Sequence, residues 1–162
     1  MGYDYIKAFK KGHYYNKKVA MFLSEFGIQC RVPELQIAKN FDEVKEMTLT
    51  EKDIILDAAK CILEVKSSSR TFGWDPKEFP YETTIVDTVG SYESKLEKPA
   101  AYVLVSQTTG AMVVLPPSSK DRWKKIKLFD KQQNLWDEFY LINKDDIRSI
   151  TSLVDWLIIR QG

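Results

Sequence analysis

The stretch that most constrains the fold is residues 50–69, in which two runs of aliphatic residues flank a short polar turn. The runs cover residues 53–56 and 61–66, and both are rich in the β-branched and aliphatic residues that favour strands. A loop of two residues at 58–59 and a loop of four at 57–60 give the same register. The stretch therefore predicts a β-hairpin in which Asp53 lies directly opposite Glu64.

This register places two carboxylates on one face of the hairpin. Opposed side chains on neighbouring strands have Cβ atoms roughly 5 Å apart, so the two negative charges should repel each other. Lys66 follows Glu64 by two residues, so it shares that face. A divalent cation completes the arrangement, and Mg²⁺ is the natural candidate because it binds through one or two carboxylates and keeps its waters. The alternatives are a solvated charged face, or a three-residue loop that turns Asp53 away.

Composition excludes several classes of protein. The 162 residues suit one domain with a sizeable core. Two cysteines and one histidine exclude a disulfide scaffold and a histidine-based metal cluster. The net charge of +1 gives no global field for a polyanion, so contacts with nucleic acid must use local patches. No apolar stretch reaches the about 18 residues of a membrane span, and no signal peptide is recognisable, so we expect a cytoplasmic protein without a membrane partner.

Apolar periodicity and terminating Gly or Pro residues predict the elements around the hairpin. A strand at 101–106 should be buried on both faces because it is almost continuously apolar. The remaining predicted elements are helices at 14–26, 91–98 (with Ser91 as N-cap) and 145–160, and strands at 28–32, 83–89, 111–115 and 139–142. We expect one α/β domain over residues 1–162, with a core at about 13–115 and a C-terminal extension of a strand and a helix at about 116–162.

Three basic or hydroxyl-rich sites are candidates for contact with nucleic acid. A groove for nucleic acid needs positive charge for the backbone and aromatic rings for the bases. The candidates are Lys17 and Lys18 in the first helix, Ser68 and Arg70 after the hairpin, and Arg122, Lys124 and Lys125 in the basic segment 118–131, where Trp123 and Phe129 are interleaved. A solvated helix face, an ordinary polar loop and an edge strand protected by lysines are the respective alternatives.

Asp53, followed after ten residues by Glu64, Val65 and Lys66, resembles the motif of the PD-(D/E)XK nuclease superfamily, which includes restriction endonucleases and Holliday-junction resolvases. The resemblance extends in element order over about residues 14–106. It implies a restriction-endonuclease-like core, in which helices flank a central mixed β-sheet in the order αβββαβ. It also implies hydrolysis of DNA that depends on Mg²⁺, and we expect Mn²⁺ to substitute.

The resemblance assigns a role to each residue of the motif. It implies that Asp53 and Glu64 bind Mg²⁺, with the Val65 carbonyl as a candidate third ligand, and that Lys66 positions or deprotonates the attacking water. Many members add an acid from the first helix. Glu25 is the candidate here, although Asn16 lies near the usual position, and Lys52 occupies the place of the proline in the motif.

We therefore expect a Mg²⁺-dependent DNA endonuclease. A nuclease that acts on RNA or on DNA ends is an alternative. So is a nucleic-acid-binding or protein-interaction module that has this fold but no catalytic activity. Two cuts in a duplex usually take two active sites, so we also consider a homodimer.

Overall fold

The computed structural model describes residues 5–35, 42, 52–131 and 133–162, and it shows a mixed α/β chain. The elements are α1 (Tyr5–Ser24), β1 (Ile54–Leu56), β2 (Cys61–Ser68), β3 (Thr83–Thr88), α2 (Val89–Ser94), β4 (Ala101–Ser106), β5 (Met112–Leu115), β6 (Lys124–Asp130), β7 (Leu135–Asn143), β8 (Arg148–Ser149) and α3 (Ile150–Gln161). Among these residues, no helix is long and apolar enough to cross a membrane.

Two sheets organise these strands. The larger sheet has the order β1-β2-β4-β5-β8 and is mixed, because β2 and β4 run parallel while the other pairs are antiparallel. The smaller sheet is antiparallel and has the order β3-β7-β6. The crossover between the parallel strands β2 and β4 contains β3 and α2. The expected central mixed sheet is therefore present, whereas β3 lies in a second sheet that the sequence did not predict.

Different elements pack on the two faces of the larger sheet. Helices α1 and α3 pack on one face, where Val19, Leu23 and Leu157 are buried against Leu63 and Val103. The smaller sheet and its loops cover the other face in a second core, whose members include Tyr102, Leu104, Val113, Val86, Tyr140 and Ile142. All six residues of β4 are buried, as predicted, because both of its faces meet a core.

The predicted hairpin and its register are confirmed. Ile54 pairs with Leu63 and Leu56 pairs with Cys61, which is the predicted register, and Asp53 lies at a bend just before the paired part of β1. The turn has four residues, 57–60, and Lys60 closes it in the left-handed conformation with φ of 57°. Because Leu63 and Val65 pack in the core with the helices, strand alternation directs Glu64 to the opposite face. Residues 50 and 51 lie outside the described part of the chain.

Several predicted boundaries are wrong. The first helix begins at Tyr5, nine residues before the predicted start, and the strand predicted at 28–32 is reduced to a single bridge between Arg31 and Ile55. The last helix begins at Ile150 rather than 145. A 3₁₀ turn at Lys144–Asp146 and the pairing of β8 with β5 take up the intervening residues. Tertiary pairing here overrides the helical periodicity.

The N-cap of α2 is Thr88 rather than the predicted Ser91. The Thr88 hydroxyl accepts a hydrogen bond of 3.0 Å from the Ser91 amide, so Ser91 lies inside the helix. We expect Thr88→Ala to lower the free energy of unfolding by about 1 kcal/mol, because an amide at the helix start loses its acceptor. Urea denaturation measures this, with Ser94→Ala on the exposed side of α2 as the control. A cost in the control equal to that in Thr88→Ala would contradict the assignment.

Candidate functional site

The hairpin residues of the motif line one wall of a cleft of about 570 Å³. The lining residues come from α1, from residues 33–35 and 52–55, from β2, and from α2 and the residue after it. Asp53, Glu64, Val65 and Lys66 are all among them, so the structure brings the four predicted motif residues to one place.

Asp53 is held immediately before β1 by the backbone of β2. The Val65 amide donates a hydrogen bond of 2.8 Å to Asp53 Oδ2. Burial, and to a lesser degree the nearby charge of Glu64, raise the pKa of Asp53 from 3.8 to about 6. The Val65 amide, Lys66 and a hydrogen bond from Asn16 act in the opposite direction but do not cancel the rise. A carboxylate in this position costs free energy that a cation would recover.

Glu64 uses its two oxygens differently. Oε1 lies 3.1 Å from Lys95 Nζ, and Oε2 lies 3.0 Å from Lys66 Nζ. Both carboxylate oxygens of Glu64 are therefore ion-paired, each with a different lysine. A cation bound by Glu64 would have to compete with these two ammonium groups.

Lys66 lies between two carboxylates. Its Nζ is 3.0 Å from Glu64 Oε2 and 3.3 Å from Asp87 Oδ1. Burial alone would lower the pKa of Lys66, but the charges of Glu64 and Asp87 outweigh burial and raise the pKa above its ordinary value. Lys66 is therefore protonated at neutral pH when the carboxylates hold no cation, which favours a role as a positive charge over a role as a base.

Two charged residues of the site were not predicted from the sequence. Asp87 on β3 is 3% exposed and accepts hydrogen bonds from Lys66, Lys95, the Tyr102 hydroxyl and the Thr88 amide. Lys95 follows α2 and contacts both Glu64 and Asp87. The available signal was an aspartate inside the otherwise uncharged strand run 83–89, where a buried charge needs partners.

The predicted helix acid lies elsewhere. Glu25 is exposed, follows the last residue of α1, and is not among the described residues that line the cleft. Asn16 occupies the cleft-facing position on α1, and its side chain hydrogen-bonds Asp53. His13 and the exposed Glu34 also line the cleft, and neither was predicted as a site residue.

The donor set suits a hard cation with few protein ligands. No group of three or more His, Cys, Asp or Glu side chains that could hold a metal is present within the described ranges. Two carboxylates and a backbone carbonyl nevertheless match Mg²⁺, which commonly binds through one or two carboxylates and keeps several waters. The raised pKa of Asp53 fits that interpretation, because a bound cation would offset the cost of its negative charge.

The predicted contacts for nucleic acid are scattered over the surface. Lys17 is exposed on α1, and Lys18 Nζ lies 5.9 Å from the centre of the Tyr14 ring. Ser68 and Arg70 line a second cavity of about 310 Å³, which Lys66 also lines. Arg70 is partly engaged, because it donates to the Thr83 carbonyl and stacks on Tyr81.

The basic segment divides into a paired part and an exposed part. Arg122 donates from Nε to both carboxylate oxygens of Asp146 at 3.1 Å, which offsets its charge. Lys124 and Lys125 lie on β6, which is the exposed edge of the smaller sheet. Trp123, by contrast, is buried in the second core, so it is not available to stack on a base.

No known protein family, curated protein or solved structure matches this chain.

Proposed function

We propose that the chain is a Mg²⁺-dependent DNA endonuclease related to the PD-(D/E)XK nucleases. The observation that carries the proposal is the charge balance at the cleft. Asp53, Glu64 and Asp87 supply three carboxylates, while Lys66 and Lys95 supply two ammonium groups, all within one network. One negative charge is left over, at half-buried Asp53, and Glu64 lies on the neighbouring strand. A bound cation would compensate that charge.

The order of the elements supports a restriction-endonuclease-like core. The chain runs α1, β1, β2, β3, α2, β4, which is the order αβββαβ. The motif residues lie on β2 and immediately before β1, as the resemblance to the PD-(D/E)XK nucleases implies. The departure is β3, which pairs with β7 rather than with the hairpin. In the proposed fold, β3 belongs to the second sheet, and Asp87 on β3 contributes to the site.

Each residue of the site has a role in the proposed reaction. Asp53, Glu64 and the Val65 carbonyl hold the cation, which when bound supplies an activated water and neutralises charge on the phosphate. The Val65 amide and Asn16 orient the Asp53 carboxylate. Lys66 carries a positive charge at the cleft and stabilises the negative charge that develops on the phosphate in the transition state.

The proposed DNA partner contacts local basic patches. Lys17 and Lys18 on α1, with Lys124 and Lys125 on β6, are exposed or half-exposed cations that suit phosphate contacts. Ser68 and Arg70 line the second cavity beside Lys66, where a neighbouring phosphate of the strand fits the chemistry. A homodimer remains part of the proposal for duplex cleavage, and size-exclusion chromatography with and without DNA measures it.

A second candidate is a nucleic-acid-binding module that does not catalyse. The observation that favours it is the pairing of Lys66 and Glu64 within the protein, since both lysines near the site have carboxylate partners. A purely structural network of this kind needs no cation. Under this alternative the protein binds DNA but does not cut it.

Plasmid cleavage separates the two candidates. We expect the protein to nick supercoiled plasmid with Mg²⁺ or Mn²⁺ and to stop when EDTA is added. Lys66→Ala should slow cleavage by about 10²- to 10³-fold, because the transition state loses a charged donor. Lys144→Ala, which removes an exposed lysine paired with Glu82, is the matched control and should cut normally. Cleavage that survives in Lys66→Ala would remove this residue from the mechanism, and binding without cleavage in the wild type would favour the module.

A further inference from the structure

Four charged side chains close a ring where the two sheets meet. Glu64 Oε2 lies 3.0 Å from Lys66 Nζ, which lies 3.3 Å from Asp87 Oδ1. Asp87 Oδ2 lies 3.1 Å from Lys95 Nζ, which lies 3.1 Å from Glu64 Oε1. Each carboxylate therefore gives one oxygen to each lysine, and the charges alternate around the ring.

An irregularity in β3 turns Asp87 into this ring. In a regular strand Asp87 shares the face of Ile85, which is exposed. The pairing of β3 with β7 shifts register between Ile85 and Asp87, and both Val86 and Asp87 are buried. A β-bulge commonly re-aims a side chain next to a functional site. The bulge here directs a carboxylate at the two lysines.

The two lysines are held with unequal strength. Lys95 Nζ has two acceptors besides the ring carboxylates, namely Ser91 Oγ at 2.6 Å and the Ser91 carbonyl at 3.3 Å. Its side chain is only 9% exposed. Lys95 is therefore fixed by α2 independently of Glu64.

Lys66 has fewer restraints. Its side chain is 37% exposed, it lines both cavities, and its ammonium group is held by the two ring carboxylates, Glu64 at 3.0 Å and Asp87 at 3.3 Å. When positive charge is added at Glu64, repulsion acts on both ammonium groups, and Lys66 has less to hold it there.

We propose that Asp87 and Lys95 are positioning residues with different tasks, an inference that rests on the proposed function. Lys95 holds Glu64 through Oε1 whether or not the carboxylates hold a cation. When Glu64 and Asp53 bind a cation, Lys66 moves away from Glu64 Oε2. Asp87 then keeps the Lys66 ammonium group at the cleft. Lys66 is then available to a phosphate without leaving the site.

Nitrogen-15 NMR of the lysine ammonium groups tests this division directly. Mg²⁺ is titrated into the wild-type protein while the Lys66 and Lys95 Nζ resonances and the Val65 amide resonance are followed. Lys66→Arg and Lys95→Arg assign the two ammonium signals. Asp53→Asn is the control for cation effects elsewhere on the surface. We expect the Val65 amide and the Lys66 signal to shift, the Lys95 signal to stay in place, and all three to stay in place in Asp53→Asn.

The other outcomes distinguish this inference from the proposed function. A shift of the Lys95 signal equal to or larger than that of Lys66 would overturn the division of tasks while leaving the cation site intact. An unmoved Lys66 signal beside a shifting Val65 amide would overturn it in the same way. If none of the three signals responds to Mg²⁺, the cation site itself fails, and the inference fails with it.

Discussion

Asp53→Asn should make the metal-free protein more stable by about 1–3 kcal/mol at pH 8. Burial and the charge of Glu64 raise the pKa of Asp53 from 3.8 to about 6, so the wild-type chain pays to keep this carboxylate ionised. A shift of one pKa unit corresponds to about 1.4 kcal/mol. Asparagine removes the charge and keeps an oxygen that can accept from the Val65 amide. The same variant should lose cleavage by at least about 10³-fold, because the pair of carboxylates that holds the cation is broken.

The difference in the free energy of unfolding between Asp53→Asn and wild type should grow as the pH rises. Between pH values of about 4 and 6 the folded chain binds more protons at Asp53 than the unfolded chain does, so the stability contributed by this group falls as the pH rises. Wild type and Asp53→Asn should therefore be nearly equal at pH 4 and differ fully above pH 7. Urea denaturation in EDTA at both pH values measures the gap. A gap that is the same at pH 4 and pH 8 would show that the carboxylate charge is not its cause.

Asp87→Asn should have the opposite effect, a loss of about 3–5 kcal/mol in the free energy of unfolding. The carboxylate is 3% exposed and compensates both the buried Lys95 and the partly exposed Lys66, so its loss leaves the two ammonium groups with Glu64 as their one ion-pair partner among the described residues. Removing one member of a buried ion network usually costs this much, because the remaining charge stays buried.

A variant of an exposed ion pair tests whether the loss in Asp87→Asn comes from burial of the charges or from the loss of any ion pair. Asp57 also pairs with a cation, Arg31 at 2.9 Å, but both side chains are largely exposed. Asp57→Asn should leave the urea midpoint almost unchanged, because exposed pairs contribute little and salt screens them. Equal losses in Asp57→Asn and Asp87→Asn would contradict the account of the ring.

The hairpin could be predicted from sequence because its determinants are local. Alternation within two short runs and a four-residue turn fix which side chains face each other, and the pair of Ile54 with Leu63 follows from them. The double burial of β4 was also local, since an apolar run with no polar face must meet a core on both sides.

The ring could not be predicted because its members are joined by tertiary structure. Asp87 reaches the site only because β3 joins a second sheet and because a bulge reverses its side chain relative to strand alternation. Lys95 lies inside the helix predicted at 91–98, with no local feature to select it, whereas in the structure the Ser91 hydroxyl and two carboxylates hold its ammonium group. The residue of the first helix that faces the site was unpredictable for the same reason. Helical spacing placed both Asn16 and Glu25 on the first helix, but only the packing of α1 shows that Asn16 faces Asp53.

We propose that Asp53 and Glu64 hold a divalent cation in the cleft. Electron paramagnetic resonance of free Mn²⁺ measures this binding without any need for a substrate. Wild type should remove Mn²⁺ from solution with a saturable isotherm that Mg²⁺ competes away, and Asp53→Asn should weaken this binding by at least about tenfold, which corresponds to about 1.4 kcal/mol. Equal Mn²⁺ binding by wild type and Asp53→Asn, or none by wild type, would contradict the account.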